Sequence, residues 1–130
     1  MVKSMLRKIL LFFLVILLLF GGGIIFSLWK GIREINDFVI NEVDLIELTD
    51  GVYRGSTTAG PMNATVEVTV KDAKITKIDI VKHGNGRGEG AEAIVDMIIS
   101  AQSLQVDTIA GATYSSKVIL KAVERALHAK

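Results

Sequence analysis

From Ile9 to Trp29 the chain runs for 21 residues without an Asp, Glu, Lys, Arg or His. As an ideal helix that run spans about 31 Å, the hydrocarbon thickness of a bilayer. Ile9–Phe20 is apolar on every face, with no polar stripe to set against solvent, so a buried core helix is a poor alternative. A cleaved signal peptide has a shorter apolar region of about 7–15 residues that ends in a small-residue cleavage site. Here Gly21, Gly22 and Gly23 are followed by Ile24 and Ile25, and apolar character resumes. The expectation is an uncleaved transmembrane helix. Lys3, Arg7 and Lys8 precede the span, and Lys30 and Arg33 follow it. That three-to-two bias favours the N-terminus inside and the remainder outside the cytoplasm.

Beyond the span, Lys30–Lys130 holds 12 of the 15 basic residues and all 14 acidic ones, a net charge of −2. A nucleic-acid surface needs an excess of cations to neutralise phosphates, so no nucleic-acid partner is expected. The chain has no cysteine, which excludes disulfides, thiolate metal sites and a lipid-modified N-terminal Cys. His83 and His128 stand too far apart in sequence to suggest a metal pair.

Periodicity then divides the remainder. Ile32, Ile35, Val39, Val43 and Ile46 recur at helical spacing among Glu34, Asp37, Asn41, Asp44 and Glu47, which predicts an amphipathic helix leaving the membrane. Thr49-Asp50-Gly51 breaks it, Gly51–Gly55 predicts a short strand, and Ser56–Asn63 a loop. Ala64, Val66, Val68 and Val70 alternate with Thr65, Glu67, Thr69 and Lys71, the pattern of a half-buried antiparallel strand. Asp72-Ala73 predicts a turn into a second strand, Ile75–His83, although Ala73 is a weaker turn residue than glycine. Glycines 84, 86, 88 and 90 form a loop without the spacing of a dinucleotide or P-loop motif. A helix over Ala91–Ser100, an extended piece at Val106–Ile109 and a last helix over Ser116–Ala129 complete the order. The fold class is α+β, a small antiparallel sheet with packed helices behind one transmembrane helix.

Asp107-Thr-Ile-Ala-Gly-Ala-Thr-Tyr-Ser-Ser116 is the stretch that carries chemistry. Hydroxyls at Thr113, Ser115 and Ser116 crowd a helix start, where side-chain oxygens cap free N–H groups. Capping accounts for Ser115 or Ser116. The small residues Gly111 and Ala112 instead leave room for a bulky group, and the positive end of the helix favours a phosphate. His83, beside the glycine loop, is a further candidate contact.

This segment resembles the flavinylation motif of the FMN-binding domain family, Asp-x-x-Ala/Ser-Gly-Ala-Thr-x-Ser/Thr. Asp50-Gly51-Val52-Tyr53-x-Gly55 is similar to the family's opening strand, Val66–Ile80 to its hairpin, and Gln102–Ser116 to its closing segment. The resemblance implies FMN joined through a phosphodiester to Thr113, with Gly111, Ala112, Asp107, Ser115 and Ser116 around the attachment point. It implies that a separate flavin transferase, using FAD and magnesium, reads Asp107. Redox donor and acceptor proteins, or a quinone-linked complex, are the implied partners besides the lipid bilayer. Residues 1–30 are then an anchor, 31–47 a juxtamembrane helix or stalk, and 48–130 an FMN-binding domain. The implied function is an extracytoplasmic electron carrier; an anchored sensory or structural ligand-binding module and the flavin subunit of a reductase are the alternatives. Ala110 stands where many members have serine, and Ala73 where they have glycine.

Overall fold

A computed structural model describes residues 1–84 and 88–129. The first helix, α1 (Val2–Asn36), has 35 residues and is about 52 Å long. It is long and apolar enough to cross a membrane. That length exceeds the apolar run, because the last turns belong to the domain: Gly31 and Ile35 are buried, Ile35 completely.

The amphipathic helix expected over residues 32–46 stops at Asn36. The chain then crosses α4 (Thr113–His128) as an irregular strap, with one 3-10 turn at Leu45–Glu47. Tertiary hydrogen bonds account for the difference. Lys121 Nζ donates to the Val39 carbonyl (3.0 Å), Gln105 Nε2 to the Ile40 carbonyl (2.8 Å), and Asn41 Nδ2 to Glu124 Oε1 (3.0 Å). The Glu42 carboxylate accepts from Ser103 Oγ and from the Leu104 N–H. These bonds use carbonyls and side chains that a helix would turn elsewhere, and the β-branched Val39, Ile40 and Val43 are poor helix formers.

Three antiparallel strands, β1 (Gly51–Ala59), β2 (Met62–Lys71) and β3 (Lys74–Gly84), make a sheet in the order β1-β2-β3. Ala64, Val66, Val68 and Val70 are buried as the alternation predicts, and pack with Ile75 and Ile78. The β2–β3 turn is the expected Asp72-Ala73, with φ of +51° and +58°. Two central residues at positive φ match the right-handed strand twist. Strand β1, however, runs four residues past the expected Gly55, and Gly60-Pro61 alone form the turn to β2. Residues 56–59 lack an apolar stripe because their inward positions, Thr57 and Ala59, are small where helices press close. At Gly55 an added Cβ would lie 2.2 Å from the Ala122 carbonyl oxygen of α4, so only glycine admits that helix.

The helix expected over Ala91–Ser100 forms as two pieces, α2 (Gly88–Glu92) and α3 (Ile94–Ala101), which bury Ala91, Ile94 and Ile98. Residues 85–87 of the glycine-rich loop lie outside the described residues. Residues 106–109 join no strand. Gln102, left-handed at φ +51°, ends α3 and pairs with β3 as a strand would. Its Oε1 accepts the Ile75 N–H and its Nε2 donates to the Ile75 carbonyl, both at 2.7 Å. Helix α4 buries Val118, Ile119, Ala122, Val123, Ala126 and Leu127 against β1 and β2, as its spacing predicts.

Candidate functional site

Helix α4 begins three residues earlier than expected, at Thr113. Gly111 sits at φ +78° and turns the chain, which glycine does without a Cβ penalty. Ala112 follows as the N-cap residue, 8% exposed, its N–H bonded to the Ile109 carbonyl at 3.0 Å. The first helical hydrogen bond runs from the Ser116 N–H to the Ala112 carbonyl at 2.9 Å. Thr113 is thereby placed in the first turn, exposed, with its hydroxyl unbonded among the described residues.

Ser115 and Ser116 do not cap this helix, contrary to expectation: no side chain does. Both are buried, Ser116 fully. Its hydroxyl points back, accepting the Ile109 N–H at 3.1 Å and donating to the Ala112 carbonyl at 2.8 Å. Burial explains the change of role, since a hydroxyl enclosed beneath the loop must bond to what surrounds it. The amides of Thr113, Tyr114 and Ser115 precede the first helical bond and lack intrahelical acceptors. No acidic residue lies in the first turn of α4.

These features fit a phosphate. Free N–H groups and the positive helix end attract an anion, and no carboxylate on the same turn opposes it. Nothing lies within 4 Å of where a Cβ on Gly111 would stand, so a bulky group has access. Lys117, four residues after Thr113, shares its helical face, and helical side chains lean toward the N-terminus. In the sequence Lys117 belongs to no motif, and only its i+4 spacing from Thr113 marks it.

Asp107 is exposed, on the rim of a shallow depression of about 500 Å³ also lined by Met97, Ser100, Ala101, Gln105 and Val106. Among the described residues it makes no hydrogen bond or ion pair, so it caps no turn. His83 lies opposite Ala64 near the end of β3, its Nδ1 buried without a partner, and makes no hydrogen bond to the 107–116 segment.

Behind the site, Glu124 is 4% exposed and joins α4 to the strap. Burial works to raise its pKa. The Lys121 ammonium at 2.8 Å and the Asn41 amide outweigh this and hold the carboxyl below its ordinary value of 4.5.

A three-stranded sheet covered by helices, with an unencumbered hydroxyl at a helix start, defines a small α+β domain suited to carrying a phosphorylated ligand. The chain belongs to the FMN-binding domain family, which it matches over residues 59–128, more than half its length. It is a flavin-binding module. Most of β1, residues 51–58, precedes the matched stretch. The chain is also similar to a protein of Treponema pallidum (strain Nichols) described as uncharacterized, 31% identical over 84 residues. That stretch covers 62% of this chain and 23% of the relative, so the chain spans less than a quarter of that protein.

Proposed function

We propose that this protein is a membrane-anchored electron carrier, with its domain on the extracytoplasmic side and FMN held covalently through a phosphodiester to Thr113. The observation that carries the reading is the Thr113 hydroxyl itself, exposed and unbonded at the start of α4, in a family that binds FMN. Thr113 supplies the oxygen that attacks the pyrophosphate of FAD on a separate, magnesium-dependent transferase; the P–O–P bond breaks, AMP leaves and the hydroxyl proton is lost. The amides of residues 113–115 and the Lys117 ammonium are the groups that would neutralise the phosphodiester. Asp107, exposed and unbonded, is the carboxylate a transferase can read. Bound FMN supplies one- and two-electron transfer, and the protein's part is to hold and orient it. A tether has a physical purpose outside the cell, where free FMN would diffuse away.

The test is peptide mass after co-expression with a flavin transferase. The peptide containing Thr113 should gain one FMN less one water. Thr113→Ala should fold normally and lack that mass, and its retention in the variant would place the acceptor elsewhere.

A further inference from the structure

Helix α1 does not end in a free stalk. Its Gly31 meets the β1–β2 turn backbone to backbone: a Cβ on Gly31 would lie 2.9 Å from Gly60 Cα and 3.0 Å from the Ala59 carbonyl oxygen. A Cβ on Gly60, at φ +56°, would lie 2.8 Å from Gly31 Cα and 3.0 Å from the Ser27 carbonyl oxygen. Ser27, Gly31 and the fully buried Ile35 recur every four residues, so one stripe of α1 faces the domain. Trp29 lies between the first two, about 3 Å along the axis from each. The turn is therefore level with Trp29, the last residue of the uncharged run. Tryptophan at the end of an apolar span marks the membrane–water interface. The Arg33 guanidinium carbon stacks 4.6 Å from the Trp29 ring centroid, on the side leading away from the span.

The charge pattern of the sheet agrees with this depth. From Gly55 to Val66, the part of β1 and β2 at the end of the sheet against α1, the sequence has no charged residue. The charges that reach this end from elsewhere are cations suited to anionic headgroups: Lys82 of β3 opposite Thr65, and Arg125, which donates to the Ser56 carbonyl. The opposite end carries Asp50, Lys71, Asp72, Lys74 and Lys77. A surface entering the interfacial layer must avoid burying ions, whereas one facing water need not.

We propose that the β1–β2 turn is seated in the lipid headgroup layer beside the anchor, so that the domain stands on the membrane in one orientation rather than swinging on a tether. This rests on reading α1 as a membrane anchor. The cysteine-free chain allows single labels, and the exposed positions Thr58, Asp72 and Leu17 serve. Full-length Thr58→Cys, Asp72→Cys and Leu17→Cys carry a bimane fluorophore in phosphatidylcholine–phosphatidylglycerol vesicles, with nitroxide on either lipid headgroups or acyl chains. Headgroup nitroxide should quench the label at Thr58 and leave that at Asp72 bright, and acyl-chain nitroxide should quench Leu17. Introducing Gly31→Leu, which forces a side chain into the Gly60 backbone, should abolish quenching at Thr58 with the circular dichroism of the domain retained; where it unfolds the domain, the unmodified anchor decides alone. Quenched Leu17 with Thr58 as bright as Asp72 overturns the seating while the anchor stands. Leu17 unquenched refutes the anchor and the seating together.

Discussion

The Ser116 hydroxyl accepts the N–H of Ile109, seven residues earlier in the chain, at 3.1 Å and so fixes the segment that presents Thr113. It also donates to the Ala112 carbonyl at 2.8 Å, closing the loop onto the first turn of α4. Removing it leaves a half-buried N–H without an acceptor, which costs about 1 kcal/mol or somewhat more. Ser116→Ala should lower stability by that amount in denaturant titration and reduce flavin loading. Unchanged stability would mean that the loop closes without this bond.

Asp107 and Lys117 are separable by ionic strength and fold. Asp107→Ala should abolish or strongly reduce loading with unchanged circular dichroism, since the carboxylate bonds to nothing among the described residues. Lys117→Gln should slow loading mildly, and less so as salt rises, because a half-exposed charge acts through a screened field. Loss of folding in Asp107→Ala would assign that residue a structural role instead.

Glu124 sets an acid limit. Its folded pKa lies below the unfolded value, so the unfolded state binds the proton more readily. The stabilisation is fully present above 4.5 and is lost as pH falls through the depressed folded value. In the wild type, stability should decline on acidification below about pH 5, and Glu124→Gln should flatten that decline. The check is urea unfolding of the wild type and the variant from pH 7 to pH 3. Parallel curves would remove Glu124 as the group responsible.

Ala73 holds φ +58° in the β2–β3 turn, a conformation that costs a non-glycine residue about 1–2 kcal/mol. Glycine relieves the strain but adds freedom to the unfolded chain. Ala73→Gly should therefore stabilise the domain by about 1 kcal/mol, seen as a higher melting temperature with loading unaffected.

Sequence alone determined the elements whose burial repeats along one segment. The uncharged run Ile9–Trp29 marks a helix long and apolar enough for a membrane, because it has no polar face to set against solvent. Alternation at Ala64–Val70 set which face of β2 is inward, since a one-residue slip would expose every valine. The Asp107–Thr113 motif located the candidate attachment segment, and family membership followed. Tertiary structure decided whatever depends on two surfaces meeting. Gly31 against Gly60 and Gly55 beneath Ala122 read in sequence only as missing side chains; their meaning is close backbone approach. Residues 37–44 carry a helical pattern and yet form a strap, because Lys121, Gln105 and Glu124 offer partners from distant positions. Ser116 reads as a helix cap until burial beneath the 109–112 loop turns its hydroxyl inward. Periodicity records how one element divides its faces between core and solvent, but not which neighbour covers the buried face, and that neighbour selects the hydrogen bonds.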